Sequence, residues 1–260
     1  MKLKSCYRLL VLIVLTCFGC GVYNCHGSQM IPCNPKVLKC PHCGEFKTVD
    51  AIISGNTIGK VVWSDMKSYC PMLPRPSYVQ RCPSCRKYFF NDKSVQAGYA
   101  ESECSSSLGE LSYLSLKEAF NQLAPAGENE EIMRMMLLWA YNDIYGGCKR
   151  VSDCKDVPAE EREYFVNNVN ALIAICQNND EHLFVAELYR EIGEFDKCIA
   201  ELKAIKDEEG KEVREMIMTM ALNRNADVFI LPWCEQTMER ISVIEKQEYP
   251  YKGKIDTNFR

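Results

Sequence analysis

The spacing of apolar residues changes near residue 111. From there on, apolar residues recur every three or four positions, which is the period of an amphipathic α-helix. Pro158, followed by Glu160 and Glu161, is typical of a helix start, because proline suits the first turn and acidic side chains favour that end. The pattern predicts seven helices, at about 114–124, 129–145, 158–178, 181–192, 195–206, 209–223 and 233–246.

Before residue 95 the pattern is that of β-strands. Two runs rich in β-branched residues, FKTVDAIIS (46–54) and TIGKVVWSD (57–65), are separated by Gly55 and Asn56, which suit a hairpin turn. A small, polar stretch, VQAGYAESECSSSLG, predicts a linker. The chain is therefore predicted to be α+β, with a small β-rich module at 30–94, a linker at 95–110, an all-α domain at 111–247 and a disordered tail at 248–260.

The distribution of charged residues also changes near residue 95. Residues 30–95 contain ten Lys or Arg and four Asp or Glu, whereas residues 96–260 contain eighteen and thirty-one. Such a split predicts two modules of opposite sign. Two interpretations stay open: a basic module that packs against an acidic one, or a basic face that binds a polyanion.

The chain has sixteen cysteines, but only two pairs share a tight spacing. KCPHCGEF (39–46) and RCPSCRKY (81–88) both read basic, Cys, Pro, any residue, Cys, two residues, aromatic. The other cysteines are scattered, and Cys176 and Cys198 fall inside helical patterns, where cysteine usually packs as a small apolar side chain. A secreted disulfide framework would be shorter and richer in loops, so the pattern favours a reducing compartment.

The repeated phrase predicts one structural zinc ion bound by Cys40, Cys43, Cys82 and Cys85. Zn²⁺ prefers four soft ligands in a tetrahedron, and each Cys-x-x-Cys turn supplies two thiolates. The proline shapes the turn, and Gly44 after the second cysteine can adopt a positive φ. Four thiolates complete the coordination shell, so such a site stabilises a fold and leaves no position for a substrate.

Redox chemistry at Cys40 and Cys43 is the alternative use of the first pair. A reactive dithiol needs a helix N-terminus behind it, yet the residues that follow predict a turn and a strand. His42, inside the first pair, is expected to point outward rather than to bind the metal. Cys33 and Cys70 have no partner at ligand spacing and are alternates only.

The first residues resemble an export signal, because a basic start is followed by an apolar run at 9–15 that is too short to span a membrane. Cys20 would then be the lipidation site of a membrane-anchored lipoprotein, although Cys17 stands where such a site prefers Leu. In the alternative, the mature chain starts at Met30 and is cytoplasmic, as the cysteine usage favours. Both interpretations exclude residues 1–29 from the fold.

One helical segment, EHLFVAELYREIGEFDKCIAELKAI (181–205), has a more specific pattern. Small residues allow close helix packing and aromatic residues fill the groove between helices. The residues in question are Ala186 and Tyr189 on the first helix, Gly193 and Phe195 at the turn, and Cys198, Leu202 and Ile205 on the second. The segment resembles a tetratricopeptide (TPR) repeat, with Cys198 where that family usually has Ala. A second copy is degenerate, so the resemblance implies a short TPR-like array.

The two CPxC pairs followed by TPR-like helices resemble a group of bacterial proteins that combine an N-terminal CPxC zinc ribbon with such helices, over nearly all of 30–245. The resemblance implies the fold and the zinc ion, but no activity. The chain has three histidines and no phosphate-binding loop, Ser-His-Asp order or H-E-x-x-H motif. We therefore expect a non-enzymatic adaptor that binds a protein or peptide partner through its helical domain.

Nucleic-acid binding by the basic module is the alternative function. Charged and aromatic residues cluster around the second cysteine pair, namely Arg75, Arg81, Arg86, Lys87 and Lys93 with Tyr78, Tyr88, Phe89 and Phe90. Phosphate contacts together with stacking aromatics suit single strands. Equally, the aromatic residues can form a small core while the basic residues are merely solvated. A thiol oxidoreductase that uses Cys40 and Cys43 is a third hypothesis.

Overall fold

The computed structural model describes residues 31–57, 59–70, 77–100, 111–145, 157–206 and 210–231. The signal-like leader with Cys20, the predicted helix at 233–246, the predicted tail at 248–260 and Arg75 lie outside these residues. Within them, short antiparallel strands precede six helices. The predicted α+β class, with a small β-rich part before a helical part, is confirmed.

Seven strands occupy the described portions of residues 31–100: β1 (Ile31–Lys39), β2 (Phe46–Ser54), β3 (Val61–Val62), β4 (Ser68–Tyr69), β5 (Val79–Arg81), β6 (Tyr88–Phe90) and β7 (Gln96–Tyr99). Two antiparallel hairpins, β1–β2 and β5–β6, carry the two cysteine pairs. Lys39 opposes Phe46 and Arg81 opposes Tyr88, so each CPxC turn is the tip of a hairpin. The repeated eight-residue phrase is therefore one structural unit used twice.

The hairpin predicted at Gly55 and Asn56 is wrong. The first predicted run does form β2, but β2 pairs with β1, and the second run contributes only β3, which pairs with β4. Strand β1 was not predicted because it contains Pro32 and Pro35, and proline cannot donate a hydrogen bond to a neighbouring strand. An irregular register around these prolines accommodates them.

Residues 96–99, which the sequence assigned to a linker, form β7 on the other edge of β1, so that the sheet order is β2-β1-β7. All four residues of β7 are exposed. Such a strand lacks the alternation of apolar and polar residues that marks a half-buried strand. Its small and polar sequence therefore gave no strand signal.

The described helices are α1 (Tyr113–Leu123), α2 (Glu128–Tyr145), α3 (Ala159–Gln177), α4 (His182–Glu191), α5 (Phe195–Ala204) and α6 (Lys211–Leu222). They coincide, to within two residues at each end, with six of the seven predicted helices. The Ser112 hydroxyl caps α1 by accepting a hydrogen bond from the N–H of Ser115 (3.2 Å). No helix in these ranges is both long enough and apolar enough to cross a membrane.

Helix α4 lies at the centre of the helical part, with eight of its ten residues buried. Its Leu183 and Ala186 join an apolar cluster with α5 and α6. Its Phe184, Val185 and Leu188 join a second cluster, built mainly from α1, α2 and α3. Because α4 is enclosed on nearly all sides, it offers little surface to a partner.

Candidate metal centre

The two CPxC turns have the same backbone hydrogen bonds. In the first turn, the N–H of Cys40 donates to the carbonyl of Glu45 (2.7 Å), and the N–H of Gly44 donates to the carbonyl of Cys40 (2.9 Å). The second turn repeats both bonds between the equivalent residues, at 2.9 Å and 3.0 Å. The chain therefore folds back twice in the same way, and each time it presents two sulfurs from one tight loop.

The basic and aromatic ends of the repeated phrase meet in space. The Nζ atom of Lys39 lies 5.9 Å from the centroid of the Phe46 ring, and the Cζ atom of Arg81 lies 5.3 Å from the centroid of the Tyr88 ring. A cation over an aromatic face is attractive at this distance. Each hairpin is thus closed by the same kind of stacked pair directly beside its cysteines.

The structure brings the four predicted sulfurs together into one group that can hold a metal ion. The Sγ atoms of Cys40, Cys43, Cys82 and Cys85 all lie within 4.8 Å of one another. Between the hairpins, Cys40 Sγ lies 3.7 Å from Cys85 Sγ, and Cys43 Sγ lies 3.5 Å from Cys82 Sγ. A tetrahedral zinc site with Zn–S bonds of about 2.3 Å has sulfurs about 3.8 Å apart, so the donor set fits such an ion.

The thiols of Cys43 and Cys82 affect each other's protonation. Backbone hydrogen bonds, from Cys85 first and Ser84 next, lower the pKa of Cys82 to about 6. The backbone of Glu45 acts in the same direction on Cys43, but burial and hydrogen bonds with the other three thiols outweigh it and raise the pKa of Cys43 to about 12. Neighbouring thiolates repel one another, so a divalent cation is what allows all four to be deprotonated together.

Two of the other candidate ligands, His42 and Cys70, lie outside this group. His42 is exposed, and its Nε2 atom is 3.1 Å from the backbone oxygen of Tyr88. Cys70 follows β4, and Cys33 pairs with Ala51 within the β1–β2 ladder. Among the described residues, the group of four sulfurs that can hold a metal ion includes neither His42 nor Cys70.

The two hairpins share a small apolar core beside the sulfurs. It consists of Leu38, Val49, Phe89 and Val95 with the side chains of Cys40 and Cys82. Two polar contacts add to it, from Lys47 Nζ to the Arg81 carbonyl (3.4 Å) and from His42 to Tyr88. A core of this size is too small to hold a module together by apolar burial alone, so metal bonds would supply much of its folding free energy.

The second hairpin is anchored on the helical part through Tyr88. The Tyr88 backbone N–H donates to Gln122 Oε1 (3.3 Å), and the Tyr88 carbonyl accepts a hydrogen bond from Gln122 Nε2 (3.2 Å). The Tyr88 hydroxyl donates to Glu118 (2.8 Å). The neighbouring Val79 packs against Ala119 and Met133. The second cysteine pair is thereby held next to α1 and α2.

The aromatic residues proposed to stack on nucleic acid are mostly part of the fold. Tyr88 and Phe89 are almost fully buried. Tyr78 and Phe90 are half-buried and pack on each other, with ring centroids 5.6 Å apart. The basic residues Arg86, Lys87 and Lys93 are exposed. Among the described residues of this cluster, these basic side chains are therefore accessible to a nucleic acid, whereas the Tyr88 and Phe89 rings are not accessible for stacking.

A buried polar network around α4 was not predicted from the sequence. The Asn142 side chain donates to Asp65 Oδ2 (3.0 Å) and to Glu191 Oε2 (2.8 Å), and these three residues are almost fully buried. Arg190, fully buried, forms a two-point ion pair with Glu187. Charged residues within an apolar helical pattern are the only sequence signal of such a network, and spacing alone does not reveal their partners.

The comparisons with known proteins add no relative: no family model, no curated protein and no solved structure matches this chain.

Proposed function

We propose that the chain is a non-enzymatic zinc protein whose helical part binds a protein or peptide partner. The single observation that carries the zinc assignment is the convergence of four cysteine sulfurs from two hairpin tips that have the same backbone hydrogen bonds. Thiolate ligands in a tetrahedron favour zinc over harder cations such as Mg²⁺ or Ca²⁺. The four sulfurs fill the coordination shell, which suits a structural ion.

The proposed interaction role rests on the helical pair α4–α5. Ala186 and Cys198 are fully buried where the two helices pack, and Gly193 between them has a φ of +86°. Small residues at the helix contact and a glycine at the turn are features of TPR-like hairpins. Since α4 is enclosed, a partner would contact the outer surfaces of the helices rather than α4 itself.

Two alternatives remain proposals of lower rank. Nucleic-acid binding is supported by the exposed basic residues of the second hairpin but not by its aromatic residues, of which Tyr88 and Phe89 are buried. A thiol oxidoreductase that uses Cys40 and Cys43 requires their sulfurs to be free of metal. Retained disulfide reductase activity in the zinc-saturated protein would favour that alternative.

Intact-mass spectrometry under native and then denaturing conditions tests the zinc proposal. We expect a native mass increased by one zinc ion and a denatured mass that corresponds to reduced thiols at the four positions. A metal-free native mass together with a Cys40–Cys43 disulfide would overturn it. For the interaction role, a purified candidate partner should bind the zinc-loaded chain, and short oligonucleotides should not compete.

A further inference from the structure

Residues 61–69, here termed the latch, come from the loop between the two cysteine pairs but pack inside the helical part. The latch consists of β3, β4 and the turn between them, in which the N–H of Trp63 donates to the Lys67 carbonyl (2.9 Å). Val61, Val62 and Trp63 are all less than one tenth exposed. They share one apolar cluster with residues of α4, α5 and α6, among them Ala186 and Ile217.

The backbone of the latch also pairs with the chain that follows α6. The N–H of Leu231 donates to the Val62 carbonyl (2.9 Å), and the N–H of Ser64 donates to the Phe229 carbonyl (2.8 Å). The N–H of Phe229 in turn donates to the Ser64 hydroxyl (3.1 Å). The latch is thereby joined to residues more than 160 positions later in the sequence.

Polar contacts tie the turn of the latch to α2. The Trp139 ring N–H donates to the Asp65 carbonyl (2.8 Å), and Asn142 donates to the Asp65 carboxylate (3.0 Å). Lys67 forms an ion pair with Asp143. Asn142 also donates to Glu191 on α4, so loss of Asp65 would disturb a buried polar network that reaches the central helix.

Both ends of the latch lead back to the metal site. One end continues from β2 and the first cysteine pair, and the other runs to β5 and the second pair. The second hairpin is held on α1 through Tyr88. The first hairpin contacts the second through the sulfurs, the small core and the two polar contacts given above, and β1 also pairs with β7, which follows the second hairpin. A metal ion bound by all four sulfurs would add a second closure, beside the β1–β7 pairing, to the loop that contains the latch.

We infer that metal binding at the four cysteines controls how firmly the latch holds the helical part. Closing a loop reduces the conformational freedom of the open state, so the latch is retained more strongly when both of its ends are fixed. Metal loss would remove the closure at the sulfurs, leave the β1–β7 pairing as the remaining tie, and increase local opening around α4. This inference rests on the proposed function and adds a means of regulating it, since metal availability would set the stability of the helical surface offered to a partner.

Amide hydrogen exchange of the full chain tests the inference. The zinc-loaded protein is compared with protein treated with a chelator under reducing conditions, and the metal content of each sample is measured by native mass spectrometry. We expect chelation to increase exchange in α4 and in residues 228–231 by about tenfold or more, because opening of the latch exposes them.

Two variants test whether the effect of chelation on α4 is transmitted through the latch. In the first, ten Gly and Ser residues are inserted after Asn56 and again between Tyr69 and Ser77, which keeps the four cysteines but lengthens both connections. The effect of chelation on α4 should then fall below about threefold, because effective concentration decreases with linker length. In the second, Asp65→Ala weakens the latch directly, so that zinc-loaded α4 should already exchange nearly as fast as in the chelated wild type.

The outcomes distinguish the two proposals. Bound zinc with no change in α4 exchange on chelation would overturn the inference and leave the zinc proposal intact. A full chelation effect in the linker variant, or slow α4 exchange in zinc-loaded Asp65→Ala, would also overturn it. A chain that binds no metal would overturn both proposals.

Discussion

Gly44 and Arg86 occupy the same position in the two CPxC turns and share a left-handed backbone, with φ of 78° and 59°. Glycine adopts this conformation without a steric penalty, whereas a residue with a Cβ atom pays roughly 1–2 kcal/mol. The two turns are therefore equivalent in shape but not in strain. The second turn holds an arginine where the geometry favours glycine.

This difference predicts opposite effects of two substitutions on stability. Arg86→Gly should stabilise the zinc-loaded protein by about 1 kcal/mol, and Gly44→Ala should destabilise it by a similar amount. A Cβ at Gly44 would meet only the Lys39 Cε atom, at 3.8 Å, so the loss would report the backbone conformation rather than a clash. Urea unfolding measures both values. Destabilisation by Arg86→Gly would contradict the equivalence of the turns.

Substitution of the cysteines should separate the metal ligands from the other thiols. Cys43→Ser and Cys82→Ser should each abolish one-to-one zinc binding at neutral pH and lower the melting temperature, because a hydroxyl is a much poorer zinc ligand than a thiolate. Cys70→Ser is the matched control, since Cys70 lies outside the group of four sulfurs. Metal content by mass spectrometry is the readout. Full zinc occupancy in Cys82→Ser would contradict the ligand assignment.

The buried carboxyl group of Glu191 should make the stability of the protein depend on pH. Burial, and then the negative charges of Asp65 and Glu187, raise the pKa of Glu191 well above its usual value of 4.5. The folded state therefore binds the proton more tightly than the unfolded state, and this contribution to stability is lost as the pH rises through the folded-state pKa. Glu191→Gln should remove that loss, because a neutral amide carries no charge to bury.

The measurement is the free energy of unfolding of wild type and Glu191→Gln between pH 5 and pH 9. Metal binding also depends on pH, but both proteins have the same four cysteines, so the difference between the two curves isolates Glu191. We expect the variant to gain stability relative to the wild type as the pH increases. Parallel curves would show that Glu191 does not titrate differently in the folded state.

Close packing of α4 against α5 predicts how two small residues respond to changes in volume. Ala186 and Cys198 are both fully buried in one apolar cluster. Cys198→Ala removes one atom and should cost about 1 kcal/mol or less, whereas Ala186→Leu should cost about 1–3 kcal/mol because the cluster has no room for the added atoms. Thermal unfolding of the zinc-loaded variants measures the two losses of stability. An Ala186→Leu variant as stable as the wild type would show that α4 and α5 do not pack closely at this position.

The parts of the fold that were predictable are those set by local pattern. The helices follow the spacing of apolar residues. The group of four cysteines follows the repeated CPxC phrase, since two tight turns with two cysteines each are typical of one tetrahedral metal site. The basic and aromatic residues at the two ends of the repeated phrase also follow from the turn, because Lys39 and Phe46 are brought into contact when the hairpin forms.

The parts that were missed depend on contacts distant in sequence. Strand β1, which pairs with β2, was not predicted because it contains two prolines. Strand β7 was not predicted because all of its residues are exposed, so apolar and polar residues do not alternate along it. The burial of Trp63 and Asp65 against the helices was not predictable either, because it depends on partners such as Phe229 and Asn142 far along the chain. Local propensity carries no information about such pairings.

The most direct test of the central claim is X-ray absorption spectroscopy at the zinc edge of the full chain. If Cys40, Cys43, Cys82 and Cys85 hold one ion, the spectrum will report four sulfur neighbours at about 2.3 Å and no nitrogen or oxygen ligand. A shell that contains nitrogen or oxygen, or a purified reduced chain without zinc, would contradict the account.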